Sequence, residues 1–229
     1  EESLKCFDKA IELDPKDALG WFNKGYTLVD LKKYEEARKC FDKAIELKPN
    51  LYMAWNNYAN LLADLGKHDE CIKLMDQAVK SVKSDKEIAA CINWKGVSLG
   101  NLEKYEEAFK CYDKAIELDP KNAEIWSNKG SALDGLDKYE EALKCYDKSL
   151  ELDPEFIRAW NNQANMLDKL GRHDECVKVM DQALKSLTSD KGIQNCINWK
   201  GVSLGKLEKY EEALECYDKV IEQDPTNTL

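Results

Sequence analysis

The stretch EEAFKCYDKAIELDP occupies residues 106–120, and four close copies of it recur along the chain. The copies are EESLKCFDKAIELDP (1–15), EEARKCFDKAIELKP (35–49), EEALKCYDKSLELDP (140–154) and EEALECYDKVIEQDP (211–225). All five prolines of the protein end these copies. Because proline cannot continue a helix interior, the pattern predicts a recurring helix that stops at each proline.

A second segment lies between the copies and also has a helical spacing. It begins with a tryptophan, a small residue follows four positions later, and a leucine follows three positions after that. These positions share one face of a helix. The tryptophans are Trp21, Trp55, Trp126 and Trp160, and two further segments place Ile92 and Ile197 at the same site. The sequence therefore predicts alternating helices, the first of each repeat marked by the tryptophan and the second by the proline at its end.

The distances between the small residues define the period. From Gly25 to Gly201 they are 34, 37, 34, 34 and 37 residues. A longer period of 105 residues is also present, since CINWKGVSLG (91–100) recurs at 196–205. The chain is thus a block of three units that has been duplicated, and the middle unit of each block is three residues longer. We expect the extra residues, in KSVKSDKEI (80–88) and KSLTSDKGI (185–193), to lengthen the second helix or its loop.

A 34-residue helical hairpin with Trp, Gly, Leu, Ala, an aromatic residue and Pro at these positions resembles the tetratricopeptide repeat (TPR). The resemblance implies an all-α fold, a right-handed α-solenoid superhelix of antiparallel helix pairs. The expected units are the second helix of a truncated repeat (1–17) and six repeats, at 18–51, 52–88, 89–122, 123–156, 157–193 and 194–227. It also implies that first helices line a concave surface, and we expect apolar side chains to be exposed at both ends of the array.

Composition excludes several classes of function. The net charge of −10 disfavours nucleic acid or an anionic membrane as the main partner, and no run of 18 apolar residues predicts a transmembrane helix. The nine cysteines form no CxxC pair. They are therefore interpreted as small, partly buried thiols in a reducing compartment, and we expect a cytoplasmic protein.

Catalytic motifs are missing from the sequence. There is no phosphate-binding loop, nucleophile elbow or HExxH motif. The two histidines, His68 and His173, lie three residues before Cys71 and Cys176, so each pair offers two metal ligands where a closed site needs four. We therefore expect no enzyme, no metal and no cofactor.

Asparagines cluster on the first helices, although asparagine is a poor helix former. In AWNNYAN (54–60), Trp55, Tyr58 and Ala59 fall on one arc of a helical wheel together with the following Leu62. Asn56, Asn57 and Asn60 fall between about +100° and +200° from Trp55. The corresponding positions of all six first helices form what we call the asparagine stripe. Its members are Asn23, Asn56, Asn57, Asn60, Asn93, Trp94, Asn128, Asn161, Asn162, Asn165, Asn198 and Trp199.

An asparagine amide offers a donor and an acceptor that match a peptide backbone. Some TPR proteins similar to this one, including the superhelix of a glycosyltransferase that modifies Ser/Thr, carry such a ladder, and the similarity covers Asn23, Asn57, Asn128 and Asn162. The sequence therefore predicts a non-catalytic scaffold that binds an extended peptide, with Trp94 and Trp199 as apolar anchors.

Several alternatives stay open at this stage. The amides could instead brace neighbouring helices. The chain could be a structural assembly element that associates through its ends or through flanking domains, or the regulatory arm of an enzyme. A clamp for a terminal carboxylate is disfavoured because Arg158 is the one basic residue near the stripe that approaches the pattern. RNA binding is disfavoured because of the acidic charge.

Overall fold

A computed structural model describes residues 2–223, and every regular element in that range is an α-helix. The chain divides into two compact units, Glu1–Pro120 and Lys121–Leu229. The helices of the first unit are α1 (Glu2–Leu13), α2 (Ala18–Asp30), α3 (Tyr34–Leu47), α4 (Tyr52–Asp64), α5 (His68–Ser81), α6 (Asp85–Asn101) and α7 (Tyr105–Leu118). Those of the second are α8 (Ala123–Gly135), α9 (Tyr139–Leu152), α10 (Ile157–Lys169), α11 (His173–Ser186), α12 (Asp190–Lys206) and α13 (Tyr210–Gln223).

The second helices form because their apolar residues recur at helical spacing. In α3 the buried residues are Ala37, Cys40, Phe41 and Ala44, which follow the i, i+3, i+4, i+7 pattern of a single face. Two glutamates in the first turn stabilise the helix because their negative charges lie at the positive end of its dipole. Within each unit consecutive helices pack as pairs, so the all-helical repeat architecture is confirmed. The handedness of the superhelix and the boundaries of the repeats stay predictions.

The small residues of the first helices allow close packing, as expected from the sequence. A Cβ atom placed on Gly96 would lie 2.6 Å from the ring of Tyr112, and one on Gly130 would lie 2.6 Å from the ring of Tyr146. Where alanine replaces this glycine, as at Ala59, the residue sixteen positions on is a methionine instead of an aromatic residue. Glycine is thus needed where a ring lies against the helix backbone.

Three of the repeat tryptophans bond to the end of the preceding repeat. The indole Nε1–H of Trp55 donates to the carbonyl of Pro49 at 2.7 Å, and that of Trp160 donates to the carbonyl of Pro154 at 2.9 Å. Trp21 makes the same bond to Pro15 at 3.1 Å. The proline that ends one second helix therefore also supplies the acceptor that positions the next first helix.

Ion pairs between successive repeats repeat in the same way. Lys24 lies 2.6 Å from Asp8, Lys95 lies 2.6 Å from Asp76, and Lys200 lies 2.6 Å from Asp181. Each aspartate belongs to a second helix and each lysine to the next first helix. These bonds raise the pKa of Lys24 and of Lys200, so both lysines are charged at neutral pH.

The position of the three extra residues in the longer repeats corrects the sequence-based expectation. The second helix α5 has 14 residues, as α3 does, whereas the following first helix α6 has 17 residues and α4 has 13. The same holds for α11 and α12. The extension therefore lengthens the next first helix, and in α6 the start is marked by Ser84, whose backbone N–H donates to the carboxylate of Glu87 at 3.4 Å.

All nine cysteines are free thiols, and seven of them are buried. Burial raises the pKa of the Cys91 thiol to about 12 and that of Cys196 to about 11. Among residues 2–223, none of the helices has the length and apolar character needed to cross a membrane. Residues 224–229, which include Pro225 and the predicted end of the last repeat at 227, lie outside the described range.

Candidate peptide-binding surface

The two faces predicted for the first helices are separate in the structure. In α4 the packing arc is buried, with exposures of 3% for Trp55, 5% for Tyr58 and 0% for Ala59. The asparagine stripe of the same helix is more open, since Asn60 is exposed and Asn56 and Asn57 are half-buried. The asparagines of AWNNYAN thus lie outside the core of the helix pair.

Consecutive first helices bring their stripes into contact within each unit. Helix α4 packs on α2 and α6, and α10 packs on α8 and α12. The Trp94 indole N–H donates to Asn56 Oδ1 at 2.8 Å, and the Tyr52 hydroxyl donates to the same oxygen at 3.1 Å. In the first unit the stripes of α4 and α6 therefore meet, and the Asn56 amide joins two repeats.

A second contact between stripes lies in the other unit. The Asn162 Nδ2–H group donates to Ser131 Oγ at 3.3 Å. Ser131 Oγ also donates to the Ser127 carbonyl and lies 3.4 Å from the Tyr146 hydroxyl. Burial raises the pKa of Tyr146 to about 12, so its hydroxyl is neutral under ordinary conditions. The bond from Asn162 to a neighbouring helix is of the bracing kind that the sequence left open.

The twelve predicted residues differ in their exposure. Asn23, Asn60 and Asn165 are exposed, and Asn93 and Asn128 are buried, at 7% and 8% exposure. The remaining seven members of the stripe are half-buried. The wheel placed all twelve on one surface, so the burial of Asn93 and Asn128 departs from that expectation.

The bonding of the stripe amides divides them into two groups. Asn56 and Asn162 bond to neighbouring first helices, and Asn57 donates to the Met53 carbonyl of its own helix at 2.9 Å. Within residues 2–223, a second group of amides makes no hydrogen bond to another residue. This group consists of Asn23, Asn60, Asn161, Asn165 and Asn198. These five side chains are available to a ligand.

A pocket of about 380 Å³ lies on the stripe between α10 and α12. It is lined by Asn161, Asn195, Asn198, Trp199 and Val202. Four of these residues, from Asn195 to Val202, occupy one face of α12 at i, i+3, i+4 and i+7. Asn195 and Tyr52 were missed by the sequence analysis, because neither occupies a position that recurs as asparagine or tryptophan in the other repeats.

Arg158, the basic residue nearest to the pattern of a carboxylate clamp, is paired with Glu124 at 2.9 Å and lies over the ring of Phe156. Over the described part of the chain, no three His, Cys, Asp or Glu side chains group as metal ligands. Cys71 and Cys176 donate to the carbonyls of Ala59 and Ala164 at 3.8 and 3.9 Å.

Comparison with protein families decides the identity of the repeats. Profiles described as tetratricopeptide repeat or TPR repeat match residues 18–51, 40–73, 101–135, 123–156, 145–178 and 196–227, which together are more than half of the chain. The chain belongs to the tetratricopeptide repeat family. Members of this family act as protein-interaction scaffolds, so this TPR chain is assigned to that broad class. A search of curated protein sequences finds no match.

Three solved structures match this chain over most of its length. Yeast Tom70 is 22% identical with a TM-score of 0.70, and the match covers 100% of this chain and 47% of Tom70. The anaphase-promoting complex hetero-tetramer Cut9-Hcn1 is 17% identical with a TM-score of 0.69, covering 98% of this chain and 43% of the other. YrrB, described as a TPR protein with an unusual peptide-binding site, is 23% identical with a TM-score of 0.49, covering 96% and 93%. The first two matches support the fold, and this chain spans less than half of each protein.

Proposed function

We propose that this TPR chain is a non-catalytic scaffold that binds an extended peptide segment along the asparagine stripe of its first helices. The observation that carries the proposal is the group of five stripe amides that no described residue bonds, Asn23, Asn60, Asn161, Asn165 and Asn198. They lie on helices whose stripes are in contact within each unit. An extended peptide crossing these helices meets one amide after another.

The chemistry of the stripe favours recognition of a backbone. Each amide can accept from a peptide N–H and donate to a peptide carbonyl. The members of the stripe carry no charge, so sequence preference would come from the apolar anchors Trp94 and Trp199. Each hydrogen bond contributes about 0.5–1.5 kcal/mol net, and ordering the peptide costs part of this. We therefore expect affinities in the micromolar range.

The experiment is a selection of random peptides displayed on phage, followed by titration of the selected peptides in solution. Asn23→Ala and Asn165→Ala remove exposed amides that bond to no described residue, so the fold should be retained. Binding should fall several-fold in the double variant. Asn57→Ala and Asn162→Ala should also weaken binding, although they remove the internal bonds of these side chains.

Asn50→Ala provides the matched control. Asn50 is also exposed but lies in the turn between α3 and α4, away from the stripe. The control should bind as the wild type does. Selected peptides that bind the stripe variants with unchanged affinity would disprove the proposal. A fall in melting temperature that alone accounts for the lost binding would disprove it as well.

A second candidate function is assembly through an exposed helix face. Helix α13 exposes Leu214 at 60% and Ile221 at 55%, and Tyr210 beside them at 63%. Burial of such side chains favours association. Sedimentation velocity over a range of concentrations separates the two functions, because assembly predicts growing oligomers that Leu214→Lys abolishes. The free, mostly buried thiols support the cytoplasmic location that we propose for either function.

A further inference from the structure

The pocket between α10 and α12 contains a polar group without a partner. Asn161 Oδ1 is buried and accepts no hydrogen bond from any residue of the described chain. The amides of Asn195 and Asn198, which also line the pocket, bond to none of these residues either. Buried acceptors in folded proteins are almost always paired. The Asn161 oxygen is an exception to this rule, and the unpaired amides of Asn195 and Asn198 beside it line an open pocket that can take a ligand.

The first unit contains an internal control, because the same surface was duplicated there. Asn56 and Trp94 are the counterparts of Asn161 and Trp199, 105 residues earlier. In that copy the Trp94 indole N–H donates to Asn56 Oδ1 at 2.8 Å, and the Tyr52 hydroxyl donates to it at 3.1 Å. In the first copy the acceptor, Asn56 Oδ1, is therefore paired with donors of the protein itself.

Two substitutions distinguish the second copy from the first at this position. Tyr52 is replaced by Ile157, which has no hydroxyl to donate, so the second acceptor loses one partner. Ala90 is replaced by Asn195, which adds an amide to the wall of the pocket. The Trp199 indole N–H makes no hydrogen bond to a residue between 2 and 223, in contrast to that of Trp94. The second copy is therefore open where the first copy is closed.

We propose that this pocket is the anchor site of the scaffold and binds one apolar residue of an extended peptide, with the peptide group held between Asn161 and Trp199. The inference rests on the proposed function and adds its position and chemistry. The Asn161 Nδ2–H group donates to the ligand carbonyl, and the ligand N–H donates to Asn198 Oδ1 at the wall of the same pocket. A ligand carbonyl accepts from Trp199 Nε1–H.

The apolar part of the pocket selects the side chain. Trp199 and Val202 provide the apolar wall, and none of the described residues that line the pocket is charged. A charged side chain would lose hydration there without gaining a partner, whereas leucine or phenylalanine buries apolar area against the indole ring. The volume of about 380 Å³ lies near the lower end of known ligand pockets. It suits a single residue better than a folded partner.

The test uses the smallest ligand that contains these groups, N-acetyl-leucine N′-methylamide. Binding is followed by the ¹H–¹⁵N signals of the tryptophan indoles, which distinguish the two copies. We expect the Trp199 signal to shift and to saturate with a Kd of about 1 mM, from a ligand of this size. The Trp94 signal should stay in place because its indole is already bonded.

Two matched probes examine the two parts of the site. N-acetyl-glycine N′-methylamide lacks the side chain, and the fully N-methylated leucine derivative lacks the N–H donors. Each should bind at least fivefold more weakly than the parent probe. Asn161→Ala should weaken binding of the parent probe to a similar degree. In the matched variant Asn56→Ala, the affinity of the probe measured from the Trp199 signal should be unchanged.

The outcomes separate this inference from the proposed function. No saturable shift of Trp199, equal shifts by all three probes, or an unchanged titration in Asn161→Ala would each overturn the inference. If peptides selected on the whole protein then still depend on Asn23 and Asn165, the stripe binds peptides without this anchor. If those peptides are insensitive to the stripe as well, both proposals fail.

Discussion

The twin residues Asn56 and Asn161 should respond in opposite directions to the same substitution. Replacing Asn56 by alanine removes the acceptor of two hydrogen bonds, from Trp94 and from Tyr52. At about 0.5–1.5 kcal/mol each, the loss is about 1–3 kcal/mol. Alanine returns a few tenths of a kcal/mol because it forms helices more readily. We expect Asn56→Ala to lower the free energy of unfolding by about 1–2 kcal/mol.

Asn161→Ala should not destabilise the protein. The side chain has no hydrogen bond to lose, and its buried oxygen has no partner. Removing an unsatisfied acceptor relieves part of a penalty of about 1–3 kcal/mol, and the gain in helix propensity adds to this. We expect a rise of about 0.5–1.5 kcal/mol, so the two variants should differ by about 2–3 kcal/mol.

The assay combines urea unfolding with native-state hydrogen exchange. Repeat proteins do not always unfold in a single step, so exchange rates are needed to localise each effect to one unit. The slowed exchange in Asn161→Ala should be confined to α10 and its neighbours. Equal destabilisation by both substitutions would refute the reasoning, since it would show that the second amide is bonded in solution as the first is.

Three further predictions concern packing and titration. Gly96→Ala should destabilise the protein by about 1–3 kcal/mol because the new Cβ atom would lie 2.6 Å from the Tyr112 ring. Gly100→Ala, whose Cβ atom would meet nothing within 4 Å, should stabilise the protein by about 0.5–1 kcal/mol. Thermal unfolding compares the two variants. Burial raises the pKa of Tyr146 from 10.0 to about 12, so its contribution to stability is complete below pH 10 and is lost as the pH rises towards 12. Over this range the free energy of unfolding of Tyr146→Phe should therefore fall by up to about 2–3 kcal/mol less than that of the wild type. Urea unfolding at each pH measures the difference. Burial also raises the pKa of Cys91 to about 12, so this thiol should resist a thiol reagent until the protein unfolds. The exposed cysteine of α1 should react at once. Mass spectrometry of labelled peptides measures the extent of reaction at each cysteine.

The repeat architecture could be predicted from the sequence because its determinants are local. A helix needs only a 3.6-residue pattern and a stop signal, and both recur in every copy. The contact of Gly96 with the Tyr112 ring follows from a fixed spacing of sixteen residues within one hairpin. The separation of the AWNNYAN asparagines from the packing residues also follows from the angular positions of these residues around a single helix.

The extra residues of the longer repeats could not be assigned in this way. The segment 80–88 contains both the end of one helix and the start signal of the next, and the two compete for the same residues. In the structure α6 begins at Asp85, directly after Ser84, so α6 gains length and α5 does not. A pattern of hydrophobic residues does not resolve such a boundary.

The sequence by itself determined the helices, their pairing and, in α4, the separation of the asparagines from the packing arc. Only the tertiary structure decided which of those amides are engaged. Asn56 and Asn161 both lie in the tetrapeptide Ala-Trp-Asn-Asn, and their tryptophan partners share a ten-residue identical segment, yet one pair is bonded and the other is open. The reason is physical, because a hydrogen bond between residues 38 apart depends on how two helices pack and on which side chains, such as Tyr52 or Ile157, fill the space beside them.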